Sequence, residues 1–310
     1  MASQERSLVR GMAIDAWKDV WGHPAIWLLL AASSIPLAFL DNFFLPSLYT
    51  IPAFSQTVYM ALQLIGYCLC FAVLFLFWCM AVFFFDDEVR GKGKLSYRGA
   101  YARMTGWARP SLWSGLVVGL VRVFALMAAQ IVLSIVMSFL VSGGTTDTSL
   151  RILYYVYSFL NFVVADLVIV LVVLVPQMLC LEGGMKVEEV LRASYRLVRE
   201  RYRDAFILLI IPDLIAGVFY LGAAMLLGEF TLGIYVAPLL LLVVALLEGG
   251  KTAFLAAAYN RLYYHILEEE KKKKKSKGGK KSGAGRPAAK KPAGKGSGGK
   301  GSGGKQVRKK

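Results

Sequence analysis

Four ionisable residues stand where the sequence is otherwise oily: Arg122, Asp166, Asp213 and Glu248. A charge in a hydrocarbon core is costly and normally faces a partner or a water-filled cavity. Arg122 lies about ten residues past Leu112, roughly 15 Å along a helix that rises 1.5 Å per residue. Asp166 is midway through its apolar run, and Asp213 and Glu248 fall well inside theirs, so all four are expected near one depth. One Arg against three carboxylates admits two readings. Arg122 pairs with Asp166 or Asp213 and ties helices together, or the surplus acids, which must be protonated, hydrated or cation-bound, line a polar pocket or proton path. Pro176, Pro212 and the pair Gly249 and Gly250 mark places where helices bend and release backbone carbonyls.

Other chemistry is sparse. The chain has two histidines, His23 and His265, and no paired-His metal motif, GxSxG or phosphate loop. Cys68, Cys70, Cys79 and Cys180 all lie in apolar runs without CxxC spacing and read as small core hydrophobes. No enzyme chemistry, cofactor or metal is expected.

The elements that must position the four charges are membrane spans. Hydrophobic residues make up 57% of the chain, above the roughly 45 to 50% of soluble domains. A span needs about 20 apolar residues, and six runs qualify: 25 to 45, 58 to 85, 112 to 141, 152 to 181, 205 to 227 and 237 to 267. EGGK at 248 to 251 interrupts the last. The first stretch mixes charges and lacks a signal-peptide pattern, so the first span is expected to direct insertion.

Basic residues set the orientation, because short loops rich in Lys and Arg stay on the cytoplasmic side. Arg6, Arg10 and Lys18 precede the first span; Arg90, Lys92, Lys94, Arg98, Arg103 and Arg109 join the second to the third. Lys186, Arg192, Arg196, Arg199, Arg201 and Arg203 join the fourth to the fifth, and the other three connections hold only Arg151. Both termini are expected to be cytoplasmic, in a multi-pass protein of the plasma membrane.

Each cytoplasmic connection also carries an amphipathic stretch leading into a span. Val187, Leu191, Tyr195, Val198 and Tyr202 form one such stripe, predicting a helix lying in the interface with its apolar side down. Tyr97, Ala100, Tyr101, Met104 and Ala108 form a second, and Val9, Ala13, Trp17 and Val20 a third. Trp17, Tyr101 and Tyr195 occupy comparable places, which predicts three pseudo-repeats of interfacial helix plus two spans. The expected fold is an all-α integral membrane protein with six transmembrane helices in residues 1 to 267, followed by a disordered tail, 268 to 310.

The stretch PQMLCLEGGMKVEEVLRASYRLVRERYRDAF (176 to 206) resembles the six-helix membrane domain attached to some bacterial glycerophosphodiester phosphodiesterases and its stand-alone relatives. The matching positions are Pro176, Glu182, Gly183, Ala193, Ser194, Tyr195, Leu197 and Val198, and AAAYNRLYYH (256 to 265) is similar to the close of the last span in that group. The resemblance implies a membrane domain that binds, anchors or passes something lipid-like. The catalytic barrel of the fused enzymes has no counterpart here, so their catalysis does not carry over.

The tail is a separate matter. After Glu270 come 17 of the 36 Lys and Arg and none of the 20 Asp and Glu, leaving a body with a net charge of about −1. Gly, Ser, Lys, Pro and Ala dominate, which cannot offset chain entropy by burial and predicts disorder. A mobile polycation binds an anionic leaflet or, through counterion release, a nucleic-acid backbone. Without aromatic residues, nucleic-acid binding would be insensitive to sequence. The candidate polyanion-binding residues are Lys271, Lys272, Lys273, Lys274, Lys275, Lys277, Lys280, Lys281, Arg286, Lys290 and Lys291. Expected partners are membrane lipid and a ribosome or other RNA, or none if the tail only fixes topology. The composition favours a non-enzymatic protein whose tail recruits a polyanion. The rival reading is a transporter or channel for a small ion or lipid-like substrate, working through Arg122, Asp166, Asp213 and Glu248.

Overall fold

The computed structural model describes residues 2–40, 56–90, 97–141, 160, 163–164, 166–228 and 233–281. Among the described residues every regular element is helical. The chain divides into two compact units, Met1–Leu267 and Glu268–Lys310. The first contains α1 (Ala2–Gly22), α2 (Pro24–Phe39), α3 (Gln56–Val89), α4 (Tyr97–Gly106), α5 (Ala108–Val141), α6 (Val175–Glu182), α7 (Val187–Glu200) and α8 (Tyr202–Gly228), with most of α9 (Gly233–Lys281). A 3₁₀ turn, Val170–Val172, precedes α6. Among the described residues three helical segments are long and apolar enough to cross a membrane: Met60–Val89, Ala108–Val132 and Pro238–Lys273. The bent pair α1 and α2 makes a fourth if it is counted as one span. Much of the expected fourth span, and the tail beyond Lys281, lie outside the described residues.

α1 meets α2 at 88°, and the corner has a local cause. Pro24 at the first position of α2 has no N–H to continue the preceding ladder but fits a helix start. His23 at the corner is buried, its Nε2 3.3 Å from Glu88 of α3 and its ring edge-on to Phe84 at 4.8 Å.

Small residues set the closest helix contacts. On α5, Gly115 and Gly119 face α3; a Cβ on Gly115 would come within 2.8 Å of Ala72 Cα, and one on Gly119 within 3.2 Å of Phe71 Cβ. This GxxxG pair lets the two backbones approach, the device by which apolar helices gain van der Waals contact in lipid. On α9, a Cβ on Gly249 would come within 2.3 Å of the Ala31 backbone nitrogen of α2. EGGK is therefore no interruption: α9 runs through it unbroken. The two glycines are where α2 rests on α9, secured by a hydrogen bond from Trp27 Nε1–H to the Leu246 carbonyl at 2.8 Å and one from Ser34 Oγ–H to the Ala245 carbonyl at 3.1 Å.

The helical residues 166–169 end at the 3₁₀ turn because Pro176 lacks the N–H that would close on the Val172 carbonyl. Neighbouring helices take up two carbonyls of this break. Ser194 of α7 donates to Leu171 at 3.2 Å, and Tyr202 of α8 donates to Leu167 at 2.7 Å. α6 ends at Gly183 and Gly184, whose φ of 65° and 74° suit residues without a Cβ.

The short helices that precede spans differ from the expected stripes. α7 buries Val190, Ser194, Leu197 and Val198, while Tyr195 is 47% exposed. Likewise α1 buries Val9, Met12, Ala16 and Val20 and leaves Trp17 42% exposed, and α4 buries Ala100 and Met104 and leaves Tyr101 55% exposed. The buried face of each packs on protein; Tyr101 and Tyr195 lie off that face, and Trp17 only touches Phe254 edge-on at 5.8 Å. Period alone groups residues into a stripe; the neighbour that covers the stripe decides its azimuth.

α9 continues past residue 267 through the lysine run to Lys281, so the start of the expected disordered segment is helical. Glu268, Glu269 and Glu270 stand four residues before Lys272, Lys273 and Lys274, the spacing and polarity that support a helix outside a core.

Candidate functional site

One cavity in the helical body collects the charges singled out from the sequence. Arg122 of α5, Asp166, Asp213 of α8 and Glu248 of α9 all line it, joined by Lys251 of α9. Its volume of about 40 Å³ holds about three waters at the 10–15 Å³ each requires. Phe71, Phe75 and Trp78 of α3 close one side, and Val172, Val173 and Pro176 bring the broken helix to the other.

Within the cavity, the ion pair at Asp213 is made by Lys251 at 2.5 Å. Lys251 also lies 3.4 Å from Glu248, one turn back on the same helix. The Arg122 guanidinium sits over the Phe71 ring, 5.4 Å from its centroid, and interacts electrostatically with Asp166 and Asp213. Asp166 is 7% exposed, stands against Asp213, and has a buried Oδ2 with no hydrogen-bond partner among the described residues. In the sequence Lys251 stands only as the end of EGGK; a lysine three residues after an acid within an apolar run is the signal for it. Gln177, fully buried beside Pro176, was also missed, and neither of its amide atoms has a partner among the described residues.

A second polar group lies toward the end of α9 that carries the lysine run. Asp86 receives Arg90 Nε–H at 3.0 Å and the Tyr264 hydroxyl, and Arg90 also lies 2.6 Å from Tyr264. Tyr263 donates to Glu182 at 2.5 Å, and Arg261 pairs with Asp19 of α1. These contacts staple α1, α3, α6 and α9 together.

None of the four cysteines is in a disulfide; Cys79 and Cys180 are buried, and Cys68 and Cys70 are half-buried. Among the described residues no group of three His, Cys, Asp or Glu is placed to hold a metal ion. Of the tail candidates, Lys271, Lys272 and Lys273 are exposed on α9. Lys274, Lys275, Lys277, Lys280 and Lys281 fall on its last turns, and Arg286, Lys290 and Lys291 lie outside the described residues.

Fold and site together define the class: a helical protein with segments built to cross a membrane and a charged cavity among its helices. Comparison with family models, with curated proteins and with solved structures returns no match, and the functional reading rests on the geometry.

Proposed function

We propose that this is a six-span protein of the plasma membrane, both termini cytoplasmic, that binds and passes a small cation through the Asp166 cavity without enzymatic chemistry. The spans are α2, α3, α5, the run 152 to 181, α8 and the apolar part of α9. The order of short helix, then long helix, at α4–α5 and α7–α8 supports repeats, as does the half-exposed aromatic residue, Trp17, Tyr101 or Tyr195, on the helix before each proposed span. A relationship to the membrane domain of glycerophosphodiester phosphodiesterases is part of the same proposal.

The observation that carries the cation reading is the surplus carboxyl: a buried Asp166 with an unpartnered oxygen in a cavity where Lys251 is already engaged. Intramembrane ionisable groups of this kind mark ion pathways. The cavity's size favours a small ion over a lipid-like molecule. The test is flux in sealed vesicles holding the purified full-length protein, under gradients of H⁺, Na⁺ and K⁺. Flux of one of these ions above that of empty vesicles, lost in Asp166→Asn, is expected; equal flux in the variant or in empty vesicles overturns the reading.

A second reading concerns the lysine run. We propose that Lys271 to Lys281, with Arg286, Lys290 and Lys291, recruits a polyanion, RNA of the ribosome or anionic lipid, to the membrane. The helical extension of α9 supports it by spacing the first lysines along an exposed rod. Full-length protein should recover RNA or anionic vesicles with a steep loss on adding salt, and protein ended at Glu270 should not. Equal recovery by both forms would dismiss it.

A further inference from the structure

The cavity sets three carboxyls, Asp166, Asp213 and Glu248, against two cations, Arg122 and Lys251. Lys251 holds Asp213 at 2.5 Å and Glu248 at 3.4 Å. Asp166 shares the cavity with Asp213 of α8, Arg122 of α5, and Glu248 and Lys251 of α9, and interacts electrostatically with Tyr259. The Tyr259 hydroxyl is already committed, donating to the Ala205 carbonyl at 2.9 Å. An ionised Asp166 would set a second carboxylate beside Asp213 and leave a buried oxygen without a donor, a costly combination in a site removed from water.

A single proton removes both faults. A neutral Asp166 carboxyl can donate to the Asp213 carboxylate beside it, Asp213 remains anionic on Lys251, and the cavity's two cations then balance two anions. An alkali ion fits less well. It would sit beside an ammonium and a guanidinium, and among the described residues no three acidic, His or Cys groups converge on one point. The few waters that 40 Å³ accommodates suffice to carry a proton to and from the carboxyl.

We propose that Asp166 is the ion-carrying residue of the cavity and that the ion is a proton, shared with Asp213 and exchanged for the Lys251 ammonium. This rests on the cation reading above and names its substrate. On release the Asp166 O–H bond breaks, its electron pair stays on the carboxylate, and the proton leaves on cavity water. The new anion then competes with Asp213 for Lys251, whose flexible stem lets the ammonium move between them. Proton loss thereby shifts an ion pair from α8 toward the segment that ends at the 3₁₀ turn.

The test is infrared difference spectroscopy of purified full-length protein across a pH titration. It reads the carbonyl band of a protonated carboxyl and needs no transport. Wild type should show the band and lose it as pH rises, and Asp166→Asn should abolish it. Asp213→Asn keeps Asp166 but frees Lys251 to pair with it, so the band should retreat to lower pH; this variant decides the matter if Asp166→Asn does not fold. A band unchanged in both variants, or one displaced by Na⁺ or K⁺ at constant pH, would overturn the proposal. Flux without a pH-sensitive band leaves the cation reading standing and removes the proton, whereas the band without flux keeps the proton site and removes transport.

Discussion

Two groups of ionisable side chains sit on α9, one around Lys251 and one around Tyr263 and Tyr264, about 18 Å apart at 1.5 Å per residue. The second is a set of matched pairs: Asp86 with Arg90 and Tyr264, Glu182 with Tyr263, Asp19 with Arg261, Glu88 with His23. Every acid named there has its own donor or cation. The first makes Lys251 serve Asp213 and Glu248 together. Asp19 Oδ2, Glu88 Oε2 and Asp166 Oδ2 all lack a hydrogen bond among the described residues, but the first two have Arg261 and His23 beside them, whereas Asp166 stands against another acid. Matched pairs fix helices in place. A shared cation beside a surplus acid has more than one arrangement of similar energy, which a site that loads and releases an ion requires. On the proposed function, the same residue types serve rigidity in one layer and exchange in the other, and the difference lies in the ratio of acids to donors.

That contrast can be broken most forcefully at Lys251. Lys251→Met leaves two carboxylates without their cation and should cost about 3–5 kcal/mol, read as a loss of thermal stability in detergent. Lys251→Met combined with Asp213→Leu should recover most of it, since both charges leave together. If the single variant is as stable as wild type, the cavity does not depend on a shared cation.

A somewhat smaller effect is expected where α2 seats on the helix that carries Lys251. Gly249→Ala drives a Cβ into the Ala31 backbone and should destabilise by about 1–3 kcal/mol, the usual cost of overpacking. Gly217→Ala on α8, where a Cβ would meet nothing within 4 Å, should not destabilise in the same assay. In the layer of matched pairs, Tyr264→Phe removes one donor while Arg90 still holds Asp86. The expected loss is about 1 kcal/mol, the typical net worth of one hydrogen bond, and a loss as large as that of Lys251→Met would erase the distinction between the layers. Smallest of all, Lys18→Ala removes an exposed ion pair with Asp15 and should stay within about 0.5 kcal/mol.

The candidate site was legible in part. Arg122, Asp166, Asp213 and Glu248 stand out because a charge within an apolar run is conspicuous without any knowledge of neighbours, and all four line one cavity. Arg122 was the expected partner of the aspartates, yet Asp213 pairs with Lys251, 38 residues further along the chain. Depth can be counted residue by residue, but which way a side chain points around its helix turns by about 100° at each step and depends on the packing of every other helix. The glycines show the same division. Gly249 and Gly250 read as a place to bend because Gly is a weak helix former, whereas their use is to admit α2.

By itself the sequence determined what local free energies determine: helices over long apolar runs, a break at Pro176 though not at Pro212, which α8 runs through, and a cationic segment after Glu270. It also placed the four conspicuous charges at similar depth. Only the tertiary structure decided which charges meet, that Asp166 Oδ2 has no hydrogen-bond partner among the described residues, and that α7 turns Ser194 inward and Tyr195 outward. Transfer of a segment from water depends on its own composition, while a buried charge takes its energy from whatever lies within a few ångströms. Those neighbours come from distant parts of the chain, set by how the helices pack.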